Sequence, residues 1–212
     1  MKKIKNSLIL SVVLLGALCL SSCKDPDPVY NQVRQELKDW GAFKEGTWWV
    51  YEEENLKIRD SIFIYNYEDQ FSRTEVENHF EQSVRCFLAS TRQVDSGYFF
   101  YAHSSPGIQL RNDKFYNGEN SKKCYLVVPP PVQGETISTG STSQFTVFDT
   151  IYPMLQIGDK EYTNVVRANN NMNLFYNGTP TLLYSAKHIG IVRKEFPEYN
   201  QVWNLVKYNI VQ

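Results

Sequence analysis

Reactive side chains are few along this chain, and their spacing joins none of them into a catalytic set. The cysteines are Cys19, Cys23, Cys86 and Cys124; the histidines are His79, His103 and His188, each isolated. A zinc site legible in sequence shows paired Cys or His ligands a few residues apart, and a calcium loop spaces its acids around a glycine. Neither spacing occurs. Glu52-Glu53-Glu54 is a carboxylate run, but neighbours on a strand point to opposite faces, so it reads as a solvated strand end. No serine sits in a glycine-flanked elbow, no cysteine has a recognisable nucleophile context, and no glycine loop could cradle phosphate. Paired catalytic acids meet in space rather than in sequence. With every readable motif absent, the expectation is a protein that is not an enzyme and uses neither cofactor nor metal.

One thiol does have a context. Met1-Lys2-Lys3-Ile4-Lys5 is a positive start, and Leu8 to Leu20 is apolar apart from Ser11 and Gly16. That is the form of a secretory signal peptide, and it is shorter than the roughly 20 apolar residues of a membrane span. Leu20-Ser21-Ser22-Cys23 resembles the bacterial lipobox. The resemblance implies cleavage before Cys23 and lipid on its sulfur, making membrane lipid a partner through that residue. Each buried methylene contributes about 0.8 kcal/mol, so one acyl chain anchors marginally and several anchor firmly. Lys24-Asp25-Pro26-Asp27-Pro28 follows, and its prolines favour an extended spacer. Charges placed there resemble the export signals of Bacteroidota lipoproteins, which implies display on the outer face of the outer membrane. A tether facing the periplasm is the alternative. The expected layout is a signal peptide over 1–22, an anchor and tether over 23–28, and a β-rich domain over 29–212.

Composition narrows the partners. The chain of 212 residues carries 22 basic and 23 acidic groups. Loss of Lys2, Lys3 and Lys5 with the signal leaves 19 basic groups and a net charge of −4. No basic stripe exists, which argues against nucleic acid. The 14 Tyr, 12 Phe and 4 Trp favour strands over helices. With Cys19 removed and Cys23 acylated, Cys86 and Cys124 remain. They are either a disulfide, contributing about 4 kcal/mol in the chain-entropy model, or two buried thiols.

The elements that would position these groups are mostly strands. Val29, Val33, Leu37 and Trp40 are spaced for one short helix, stopped at Gly41. From Thr47 onward the signals are strands and turns, beginning with a hairpin of Thr47–Glu54 and Arg59–Tyr67 around Asn55. Strands are also expected from Gly97, up to the prolines 129–131, and on both sides of the tight turn Ile157-Gly158-Asp159-Lys160. The tail adds "TLLYSAKHIGIVRKEF" and "QVWNLVKYNI". Thr74 to Thr91 fits a helix or a strand; Val84, Cys86 and Leu88 at period two favour the strand. "VVPPPVQG" and "TISTGSTSQ" read as loops. Trp49 and Tyr51 share one face of their strand, Trp48 and Val50 the other. Apolar residues at both parities suggest a sheet that curls over a core. The expected fold is mostly β: one antiparallel domain, a strongly curved sheet or partial barrel with a short N-terminal helix. A β-sandwich is the alternative.

Three stretches resemble a broad group of uncharacterised Bacteroidota lipoproteins. They are the early Trp49-Val50-Tyr51 strand, the Gly158 turn leading to Tyr162, Asn164 and Val165, and a tail with Gly190, Val192, Lys194, Glu195, Trp203, Leu205 and Tyr208. The pattern is also similar to half-barrel lipoprotein carriers. The resemblance implies a fold and an envelope location but no activity. Asp60-Ser61-Ile62 and Asp149-Thr150-Ile151 match the short O-glycosylation pattern of exported Bacteroidota proteins, which makes Ser61 and Thr150 candidate acceptors.

Binding is the remaining role. Trp48, Trp49 and Tyr51, with Tyr98, Phe99 and Tyr101, offer aromatic faces to a glycan or to a lipid-like molecule within the curl. Core packing is the plain alternative for any one of them. The leading expectation is a non-catalytic lipoprotein of the outer membrane that binds such a ligand. An interaction subunit beside another envelope protein comes second, and a hydrolase with spatially assembled acids third.

Overall fold

The structure is a computed structural model that describes residues 27–76, 78–92, 98–103, 107–112, 123–128, 130–138, 145–170 and 181–212. Among these residues the chain forms thirteen strands and one α-helix. In order they are β1 (Val29–Asn31), α1 (Gln35–Gly41), β2 (Trp48–Glu53), β3 (Arg59–Arg73), β4 (His79–Ser90), β5 (Tyr98–His103), β6 (Ile108–Asn112), β7 (Lys123–Val127), β8 (Thr136–Ser138), β9 (Phe145–Ile157), β10 (Lys160–Asn170), β11 (Thr181–Ala186), β12 (Gly190–Phe196) and β13 (Gln201–Asn209). A single 3-10 turn at Pro197–Tyr199 joins the last two strands.

The sheet runs β7-β6-β5-β4-β3-β2-β13-β12-β11-β10-β9-β8, antiparallel throughout this path. The two ends of that order curl toward each other. The Tyr125 amide of β7 donates to Thr146 Oγ1 of β9 at 3.2 Å, a bond that links strands far apart in the order. The result is one strongly curved sheet, nearly closed into a barrel, as the apolar residues at both strand parities led us to expect. Closure of this kind removes most of the unpaired edge that a flat sheet exposes. β1 adds in parallel to β4 at His79–Glu81, beyond the point where β5 ends.

Alternation sets the inside. On β2, Trp49, Tyr51 and Glu53 are buried while Trp48 is exposed. On β4, Val84, Cys86 and Leu88 point inward, as their period-two spacing predicts. The expected β2–β3 hairpin forms, with Glu52 opposite Arg59. At the β9–β10 turn Gly158 takes a positive φ of 61° at the first of two turn positions, the conformation a tight hairpin requires there.

Two local expectations change, and one strand had not been anticipated. The helix is shorter than its apolar spacing suggested, because Val29 pairs with β4 and Arg34 is extended at ψ 140°. Val33, Leu37 and Trp40 are nevertheless buried on one side. "TISTGSTSQ" is not all loop, since Thr136–Ser138 forms β8 along β9. Ile108–Asn112 forms β6, a strand whose brief Ile108/Leu110 alternation gives little signal in sequence.

α1 lies against the concave side at one end of the barrel. The Cys86 thiol donates to the Gly41 carbonyl at 3.3 Å, the Val33 amide donates to Gln82 Oε1 at 2.9 Å, and the His188 amide donates to the Asp39 carbonyl at 2.7 Å. Just past the helix, Phe43 is fully buried edge-on to Trp49 and Phe100, with centroids 5.2 and 5.7 Å away. Helix and aromatic cluster together fill that end.

The disulfide alternative does not hold. Cys86 is a free, buried thiol. It stands in register with Phe100, Phe100 with Leu110, and Leu110 with Cys124. Three strand spacings amount to about 14 Å, twice the span of about 7 Å that a disulfide can bridge between Cα atoms. The side chain of Cys124 lies outside the described residues. Burial raises the Cys86 thiol from 9.0 to about 12, with the hydrogen bond from Phe43 opposing slightly. Because its folded value is the higher one, the stabilisation of the neutral thiol is complete below 9.0 and is lost as pH climbs toward 12. Peptide mapping after alkylation at pH 8 should find Cys86 unlabelled in the folded protein and fully labelled in denaturant. Labelling of Cys86 under native conditions would overturn this placement.

Candidate functional site

One set of inward polar groups lies at the barrel end opposite α1, where it serves the strand ends. Asp60 accepts from Ser90 Oγ at 2.8 Å and Thr91 Oγ1 at 3.1 Å, and Glu53 accepts from the Asn55 amide at 2.9 Å and from the Leu56 amide. Glu53 is therefore a buried acceptor for its turn, and the solvated reading of Glu52-Glu53-Glu54 is wrong at its middle residue. Lys194, also buried, holds its ammonium 4.3 Å from the Tyr51 ring centroid. Tyr51 donates its hydroxyl to the Ile191 carbonyl at 2.7 Å, and Trp49 donates its indole N–H to Ile189 at 2.6 Å. Trp49 and Tyr51 are thus members of the core with their polar atoms satisfied. They are not ligand-facing, which corrects the expectation for both. The reason is parity: β2 turns its odd-numbered side chains into the curl.

The outer face divides into two regions. Across β9 to β12 and onto the end of β2 it carries charge pairs. Arg167 Nε meets Asp149 Oδ1 at 2.6 Å, Arg193 Nε meets Glu195 Oε1 at 2.6 Å, and Arg193 Nη1 meets Glu54 Oε1 at 3.0 Å. Asp149 holds the Arg167 guanidinium above its ordinary range, outweighing partial desolvation. Tyr184 lies beside both guanidinium groups, and burial is the main reason its phenol is raised to about 12. This region satisfies its own charges.

The face of β2, β3 and β4 is different. Trp48 stands opposite Phe63 across the β2–β3 pair, and the two are 38 % and 41 % exposed. Tyr65, 52 % exposed, lies 6.1 Å from the Phe87 ring. Beyond this row Arg85 stacks 5.8 Å from the Tyr101 centroid and approaches Glu68 at 3.7 Å. There a cleft of about 360 Å³ opens, lined by Ser72, Arg73, Thr74, Glu75, Glu81, Ser83, Arg85 and Tyr101. The arrangement sets flat, electron-rich rings beside a wall of hydroxyls, carboxylates and guanidinium groups. Rings of this kind attract polarised C–H bonds, and the wall can donate and accept hydrogen bonds. A smaller cleft of about 220 Å³ beside α1 is lined by Glu36, Trp40, Pro131, Ile151, Asn164, Val166 and Lys187.

Of the six aromatics singled out in sequence, Trp48 and Tyr101 therefore belong to one outer face, and Trp49 and Tyr51 to the core. Tyr98 and Phe99 lie on the backbone of β5, but their side chains are outside the described residues, as is Cys23. Ser61 and Thr150 are half-buried; the preceding Asp60 is buried on Ser90, and Asp149 is tied to Arg167. Sequence reading passed over Phe63, Tyr65 and Arg85. A usable signal was present in Ile62-Phe63-Ile64-Tyr65, where the aliphatic parity turns in and the aromatic parity turns out. Among the described residues no cluster of three or more Cys, His, Asp or Glu side chains could hold a metal ion, and no helix is long and apolar enough to cross a membrane.

The sequence matches no protein-family model and no curated protein. Among solved structures it is similar to a presumed lipoprotein from Parabacteroides distasonis, at 10 % identity and a TM-score of 0.44, covering 80 % of this chain and 99 % of that one.

Proposed function

We propose that this chain is a lipid-anchored protein of the bacterial outer membrane that binds a glycan, without catalysis, on the outer face of β2 to β5. The observation that carries the reading is the row of Trp48, Phe63 and Tyr65 leading into the cleft walled by Arg85, Tyr101, Ser83 and Glu81. A sugar ring presents C–H bonds on its faces and hydroxyls around its edge, which is the chemistry this pairing of rings and polar groups complements. A lipid-like ligand held inside the curl fits less well, because Phe43, Trp49, Phe100 and Phe148 already pack that space. Of the two carboxylates at the cleft, Glu75 is exposed to water, which is not the desolvated setting that a general acid uses. The lipid anchor rests on the lipobox at Leu20–Cys23.

A glycan array probed with the detergent-solubilised protein, followed by calorimetry on the best binders, tests the reading. Trp48→Ala and Tyr101→Ala should each weaken binding roughly tenfold, since a lost aromatic face is worth about 1 to 1.5 kcal/mol. Both variants should keep the parent melting temperature to within a few degrees. Silence across the array, or binding untouched by both substitutions, would remove this site.

A further inference from the structure

The chain enters the barrel at one end of its longest hairpin. β3 and β4 stay paired out to Arg73 and Phe80, past the point where β5 stops opposite Ser83. β1 lies along that extension, where Tyr30 stacks on Phe80 at 5.0 Å and meets Phe71 edge-on at 5.3 Å. The Val29 amide donates to the Asn78 carbonyl at 2.8 Å, which ties the entering chain to the hairpin turn. Apolar side chains are left in water here: Tyr30 is 53 % exposed, Phe71 42 %, Val76 58 % and Val29 43 %. They cluster at one tip rather than scattering singly.

We propose that this tip, formed by Val29, Tyr30, Phe71 and Val76, is a bilayer contact that orients the barrel on the membrane. The inference rests on the reading that Cys23 carries lipid. Val29 lies six residues beyond Cys23, and a fully extended chain of that length spans at most about 20 Å. The anchor therefore brings this hairpin, rather than the opposite barrel end, to the headgroup layer. Tyrosine suits that depth, with an apolar ring and a polar tip, and Val76 and Phe71 gain by leaving water.

The test uses the lipidated protein in vesicles of phosphatidylethanolamine and phosphatidylglycerol with brominated acyl chains. Val76→Trp and Tyr30→Trp report from the tip; Glu198→Trp reports from the exposed 3-10 turn at the other end of the barrel. Each is compared with the unsubstituted protein and its four tryptophans. The two tip reporters should shift to the blue and lose most of their added emission to bromine, while the residue 198 reporter loses none. Tip reporters quenched no more than residue 198, in protein that sediments with the vesicles, would overturn the orientation alone. Protein left in the supernatant would overturn the anchor, and the orientation with it.

Discussion

Replacing Gly107 with alanine should cost about 3 kcal/mol or more and open the seam of the barrel, an effect at the high end for overpacking. A methyl group at this position would sit 2.4 Å from the Val127 carbonyl oxygen and 2.6 Å from Val128 Cγ2. The oxygen belongs to backbone, so no rotamer change relieves the clash. Relief requires β7 to move away from the start of β6. But β7 is also the strand whose Tyr125 amide reaches across to Thr146, and Thr146 in turn donates to Asn170 Oδ1 at 2.5 Å. Displacing β7 therefore breaks a buried polar chain as well as strand packing, and each buried group left unpaired costs about 1 to 3 kcal/mol. Gly134→Ala is the control. Its φ of 84° makes a side chain awkward, yet nothing lies within 4 Å, so only conformational strain of roughly 1 to 2 kcal/mol is expected. Chemical denaturation of the two variants should separate them clearly. Equal losses would mean that the close approach at Gly107 is not what holds the seam.

How far the fold was legible in sequence depended on where strand parity stays constant. β2 and β4 keep one parity along the stretches that were read, so Trp49/Tyr51 and Val84/Cys86/Leu88 could be grouped correctly. β3 does not. A bulge between Ile64 and Asn66 moves Tyr67 onto the side of Cys86, although Ile64 had been on that side. Similar shifts fall between Arg167 and Ala168, Tyr184 and Ser185, and Leu205 and Lys207. Each changes which parity faces inward partway along its strand, a point that alternation in sequence does not locate. The curl was inferable from the apolar residues at both parities of β2; the positions of the bulges were not.

The site was less legible, for a different reason. Aromatic residues occupy both sides of the β2–β3 hairpin, and composition alone does not say which side the curl closes over. Trp48 and Trp49 are adjacent and of one type, yet one is exposed and the other fully enclosed. What decides it is α1 and Phe43 arriving on the concave side, a long-range packing event with no local signature. Arg85 had no sequence signal at all, since its importance comes from register with Tyr101 across β4 and β5.

That packing event leads to the second large effect. Phe43→Ala should destabilise the fold by about 3 to 5 kcal/mol, the usual cost of removing a fully enclosed aromatic ring. The ring touches elements distant in sequence: Trp49 on β2, Phe100 on β5 and the start of β12. A methyl group on Gly190 would lie 3.2 Å from Phe43 Cε2, and Gly190 itself holds a φ of 91°. The backbone there has been left bare so that the ring can fit. A seven-residue helix has no independent stability in water, so α1 persists only while its contacts do. Loss of Phe43 removes the anchor just past the helix and leaves Leu37, Trp40 and the bonds at Asp39 and Gly41 to hold it. Amide exchange over residues 35–41 should therefore accelerate more than exchange in β9 and β10, whose pairing does not depend on this ring. Trp48→Ala, on the exposed side of the neighbouring position, should cost well under 1 kcal/mol. A Phe43→Ala protein as stable as Trp48→Ala, with helix protection intact, would show that the barrel closes without its helical plug.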